Sequence, residues 1–158
     1  MGKIDYSENK ALKLINVLSH KINMTDQNMN IGLTIQKMEN YVKTKGTNPI
    51  GPLVQHISSY VDEEGRMIAN LELLIQCKDY INNTEEGYKM ESVKRVPNCA
   101  YCRFTGPVDK QDLAYSKIRC EAFEEDIELK NESYIITLNE DAENEAVTID
   151  VFIPKEQY

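Results

Sequence analysis

The chain has 158 residues, enough for one ordinary domain or for two small halves sharing a core, and too few for two large independent domains. Its 26 acidic and 18 basic residues leave a formal charge of −8. That balance argues against nucleic acid as a direct ligand, whose affinity is built on cationic contacts to phosphate, and favours cations or basic partners. With 41% apolar residues it is globular in composition, and no apolar run approaches the roughly 18 residues that span a bilayer.

Residues 1–10 are polar and read as a lead-in to a single domain over 11–158. Without an apolar leader the expected location is the cytoplasm. From Ala11 to Met24 branched residues on both faces favour a strand over a helix. A helix then carries Met29, Leu33, Met38, Tyr41 and Val42 near the 3.6 period, with Thr25, Asp26 or Asn28 to cap it. Lys43 and Lys45 suit its last turn and Gly46 its C′ position. After the turn cluster 46–52, Leu53–Val61 and Ala69–Gln76 read as strands joined by a hairpin at Asp62–Gly65.

Residues 82–87 form the expected joint, dividing a first half (11–81) from a second (88–155). In the second, strands at Tyr88–Val96 and Cys99–Thr105 are separated by a turn at Pro97-Asn98. A helix from a cap at Asp109 to Ile127 follows, with Leu113, Ala114, Ile118, Ala122 and Ile127 on one stripe and Phe123 beside it. Its C-terminal end runs into the acids of 121–128, which oppose the helix dipole. Tyr134–Asn139 is the next strand. The closing stretch Ala146–Glu156 alternates strictly, Val147, Ile149, Val151 and Ile153 against Thr148, Asp150 and Phe152, until Pro154 ends it. Ala69–Gln76 alternates likewise, Leu71, Leu73 and Ile75 against Asn70, Glu72, Leu74 and Gln76. Glu72 thus falls where Asp150 falls, and the chain reads as strand–helix–strand–strand twice.

That order, with the turn Gly46–Pro52, Val96-Pro97, Thr105-Gly106-Pro107 and an acid four residues before Pro154, resembles the GyrI-like effector-binding domain over roughly residues 11–155. This family includes a gyrase-inhibitory protein and the C-terminal ends of multidrug- and stress-responsive transcription activators. The resemblance implies an α+β fold, a duplicated unit forming one antiparallel sheet with two helices on one face and a ligand cleft between the halves. It also implies a carboxylate counter-ion for cationic ligands on the closing strand, here Asp150, one methylene shorter than the family's glutamate. No helix-turn-helix precedes the domain, so a stand-alone binding module is expected rather than a complete transcription factor.

On that basis the ligand-binding residues are Asp150, Glu72, Phe152, Tyr101, Tyr60 and His56. The carboxylates would supply charge and the rings walls for a small cationic or amphipathic molecule. Equally open is that Glu72 and Asp150 lie on the solvated face of an antiparallel sheet. The alternative partner is a protein met by the acidic surface, as for an inhibitor or immunity-type factor. A third reading is a small hydrolase pairing Glu72 with Tyr60 or Tyr101. No catalytic residue, metal or cofactor is expected, and no membrane partner. The C-x-x-C of Cys99 and Cys102 reads as two unrelated buried thiols, because strand residues three apart face opposite ways, and Cys77 and His56 show no zinc-like spacing. His20 and His56 sit near no nucleophile motif.

Overall fold

The computed structural model describes residues 3–24 and 27–156. Among them the chain is mostly β, with six strands and two α-helices, and its strand pairings are antiparallel. It divides into two compact units. One is Lys13–Arg95; the other joins Val96–Tyr158 to Met1–Leu12.

In the Lys13–Arg95 unit, β1 (Lys3–Ile22, whose later half lies here) pairs with β3 (Met67–Cys77), which pairs on its other side with β2 (Pro49–Val61). Of these three strands the last in sequence is therefore the middle one in space. Helix α1 (Ile31–Thr44) lies between β1 and β2 in the chain. Its cap is Asn30, whose side chain accepts from the Leu33 N–H at 3.0 Å. Asn28 is not the cap, and Thr25 and Asp26 lie outside the described residues. Gly46 sits just past the helix at φ +83°, a left-handed conformation that a side chain would disfavour. The aliphatic face of β3 does what its alternation implies: Leu71, Leu73 and Ile75 pack with Met38 and Val42 of α1 and Leu18 of β1. At the expected hairpin, Asp62 Oδ1 accepts from the N–H groups of Glu64 and Arg66, and Gly65 takes φ +80°.

In the other unit, β6 (Ala146–Pro154) lies between β4 (Lys89–Pro107, here from Val96) and β5 (Glu132–Asp141). Val147, Ile149, Val151 and Ile153 pack with Phe104 of β4 and with Ala114 and Ile118 of α2 (Leu113–Glu124). A core thus fills the face of β6 that alternation assigned to it.

Several elements differ from their sequence-based expectation. β1 begins at Lys3, within the stretch read as a lead-in, and β2 begins at Pro49 within the stretch read as a turn. The two strands expected around Pro97-Asn98 are one, β4: Asn98 takes φ 56°, which Asn tolerates, and pairing resumes at Cys99 with Pro154. The helix expected from Asp109 is a 3₁₀ turn, Val108–Lys110, followed by the shorter α2. Asp109 caps nothing, and Asp112 precedes the helix without a side-chain cap. Where the acids accumulate α2 stops, and Asp126 turns left-handed at φ 55°. Of the predicted stripe Ala114, Ile118 and Ala122 are buried, whereas Leu113 is exposed and Phe123 is 85% exposed.

Candidate functional site

β3 sets the first group. Because Leu71 and Leu73 face α1, the intervening Glu72 faces away from it. The register places Lys21 of β1 on one side of Glu72 and His56 of β2 on the other. His56 Nδ1 lies 3.3 Å from Glu72 Oε1, both side chains less than a fifth exposed. An ionised carboxylate only accepts, so in this contact His56 donates. The His56 bond holds the Glu72 carboxyl below its ordinary 4.5, outweighing the opposing effect of burial, and the positive charges of Lys94 and Lys21 act in the same direction.

Glu72 and His56 line a cavity of about 310 Å³, together with Lys21, Lys89, Glu91 and Lys94. A second cavity, of about 260 Å³, shares Ser19, Lys21, Glu72 and Lys89 with the first and is lined further by His20, Gly87 and Tyr88. That end is rigid. His20 Nδ1 is 2.8 Å from the Gly87 carbonyl oxygen, and the Tyr88 ring stacks on Tyr41 with centroids 4.3 Å apart. The two cavities thus adjoin through shared walls, with His56 lining the first and Tyr88 the second.

β6 sets the second group. Asp150 lies between the core positions Ile149 and Val151 and so faces away from α2, with Arg103 of β4 and Ile136 of β5 as its cross-strand neighbours. Arg103 closes on it with both arms, Nε to Oδ1 at 2.7 Å and Nη2 to Oδ2 at 2.9 Å, while Tyr101 Oη donates to Oδ1 at 2.9 Å. The planar guanidinium matches a carboxylate in this two-point way. Burial and then the Asp150 hydrogen bond push the Tyr101 phenol up to about 12. Its ring lies against Phe152, centroids 4.9 Å apart, and Lys10 Nζ stands 5.5 Å from the ring centre.

Of the six residues singled out from sequence, Glu72 and His56 meet in one unit, and Asp150, Tyr101 and Phe152 meet in the other. Tyr60 is half exposed, across from Ile68 and outside the residues lining the two cavities. Sequence reasoning missed Lys21, Lys89, Lys94 and Arg103. Arg103 was within reach, since alternation puts it on the same face as Tyr101; the lysines become neighbours of Glu72 only through strand register. Among the described residues no group of three or more His, Cys, Asp or Glu could hold a metal. Cys99 and Cys102 are free and buried, and burial pushes each thiol up to about 11, whereas Cys120 is exposed on α2.

No family model matches the chain, and no curated protein does. Solved structures share its fold. A chain of the EcmrR–DNA complex in EcmrR-RPo superposes with a TM-score of 0.64 at 16% identity, covering 99% of this chain. This chain spans 58% of that one's length. A hydrolase from Listeria innocua matches with a TM-score of 0.56 at 10% identity, and an uncharacterized conserved protein from the same organism with 0.54 at 12%. Each of these two covers 98% of this chain and is itself covered to 92%. At such identities the likeness establishes a common fold.

Proposed function

We propose that the chain is a small-molecule-binding domain of the GyrI-like kind, not an enzyme, whose ligand sits over Glu72. The observation that carries this reading is a largely buried carboxylate, kept ionised by one imidazole, bordering two adjoining cavities. A ligand's ammonium or other donor relieves the desolvation of such a group. The resemblance of sequence pattern supports the reading. So does a fold shared with part of a larger protein solved on DNA, which suits a module that serves a regulator. We also take the two strand–helix–strand–strand units as a duplication.

Within this proposal Asp150 takes no part in charge recognition, because Arg103 already occupies the place of a ligand cation on it, and that role falls to Glu72. Enzymatic use of the Tyr101–Asp150 contact is disfavoured: a phenol near 12 is poorly matched to proton transfer at neutral pH. The test is calorimetry with benzyltrimethylammonium, an aromatic quaternary cation. Binding that disappears in Glu72→Gln and survives in Tyr60→Ala supports the proposal; binding untouched by Glu72→Gln overturns it.

One observation favours the protein-binding alternative. Phe123 is 85% exposed on α2 among Glu121, Glu124, Glu125 and Asp126, an apolar anchor in an acidic rim. In that reading a basic partner is held in a salt-sensitive way and is released by Phe123→Ser, not by Glu72→Gln.

A further inference from the structure

We infer that the cavity over Glu72 selects an amphoteric small molecule, its anionic group held between Lys21 and Lys89 and its ammonium group on Glu72. The inference rests on the binding reading above and specifies the ligand's charge pattern.

The walls are not those of a simple cation site. Lys21, Lys89 and Lys94 face Glu72 and Glu91, three ammonium groups to two carboxylates, with His56 beside them. Glu91 and Lys94 lie 4.0 Å apart and form an ion pair of their own. Lys21, Lys89 and the Glu72–His56 pair are the other charged groups of the wall. Register puts Lys21 directly across from Glu72, yet the hydrogen bond to Glu72 comes from His56 on the opposite strand. Among the described residues neither Lys21 nor Lys89 lies within 4.0 Å of a carboxylate, although the chain as a whole carries a charge of −8. Other lysines of the chain also lack such a partner; what sets these two apart is their place beside a half-buried carboxylate in the wall of a cavity. Both border each of the two cavities, and so does Glu72. A purely cationic ligand would meet the lysines and a purely anionic one would meet Glu72. A molecule with both charges a few bonds apart satisfies all three side chains.

A matched probe series tests this: 3-aminopropylphosphonate carries both charges, propylphosphonate only the negative one and propylammonium only the positive one. Binding is measured by calorimetry and located by backbone amide shifts. The amphoteric probe is expected to bind at least ten-fold tighter than either single-charge probe. Lys21→Ala combined with Lys89→Ala, both exposed positions, should weaken the two phosphonates at least ten-fold and tighten propylammonium, which no longer meets two like charges. Glu72→Gln should reduce the amphoteric probe to the level of propylphosphonate. An amphoteric probe no tighter than the better single-charge probe overturns the inference, as does phosphonate binding that ignores the lysine substitutions. If propylammonium or benzyltrimethylammonium binds at Glu72 while the phosphonates do not, this inference falls and the binding reading stands. If none of the four probes binds, both fall.

Discussion

Glu72 and Asp150 occupy corresponding places in their units. Each lies on the middle strand of three, on the face turned from its helix, with a base directly across on a neighbouring strand. What differs is the neighbour. Asp150 receives two hydrogen bonds from a guanidinium and one from a phenol, so both its oxygens are engaged. The contact between Glu72 and the imidazole of His56 is single and longer, 3.3 Å, and Lys21 stands across from Glu72 without closing on it. One acid is a brace within the fold, and the other is a socket. The comparison teaches that sheet position decides only where a carboxylate points; the residue one strand away decides whether its charge remains available.

The sharpest way to break the comparison is to remove the brace. Arg103→Leu leaves a carboxylate only 9% exposed with the phenol as its remaining partner, and should cost about 3 kcal/mol in urea unfolding. The figure is at the low end for a broken buried pair because Arg103 itself is nearly half exposed. Adding Asp150→Leu should return most of that loss, since two apolar neighbours need no ionic partner. A double variant as unstable as Arg103→Leu alone would sink the brace. Next in size is Tyr101→Phe, which removes one donor to a charged acceptor and should cost about 1.5 kcal/mol. An unchanged urea midpoint would mean that Arg103 holds Asp150 unaided.

Much of this arrangement could be read from local pattern, and the remainder depends on pairing. The alternation of Val147 to Ile153 and of Leu71 to Ile75 identified the core faces, because a strand's side-chain period is two wherever one face is buried. It also placed Glu72 and Asp150 on the opposite faces. Alternation is silent about the neighbouring strand, however, so it could not show that Arg103 falls across from Asp150 or Lys21 across from Glu72. Pro97-Asn98 misled for a related reason. The pair has turn chemistry, but a single left-handed Asn is accommodated inside a strand whose pairing continues beyond it. Phe123 was placed beside a helical stripe, yet only the folded chain shows that it stands exposed among the described residues.

On the socket side the effects should be smaller. His56→Leu removes the hydrogen bond to Glu72 but leaves Lys21 across the strand, so about 1 kcal/mol of stability is expected to go. That is a third of the Arg103→Leu loss. Equal losses at the two sites would erase the distinction between brace and socket.

The smallest effect is a pH dependence assigned to Glu72. Its carboxyl is held below 4.5 in the folded chain, first by the His56 hydrogen bond, so the folded state binds a proton there less readily than the unfolded state. The stabilisation is therefore fully present above about 4.5 and is lost as pH falls through the lowered folded value. Subtracting the urea stability of Glu72→Gln from that of the native chain isolates this contribution from the other carboxylates. The difference should be below about 1 kcal/mol at neutral pH, as for a single pair that water still reaches. It should stay level down to about pH 4.5 and shrink beneath it. A difference that grows as pH falls through 4.5 would mean that Glu72 is better accommodated protonated. An acid of that kind has no charge to offer, and the socket would lose the feature that separates it from the brace.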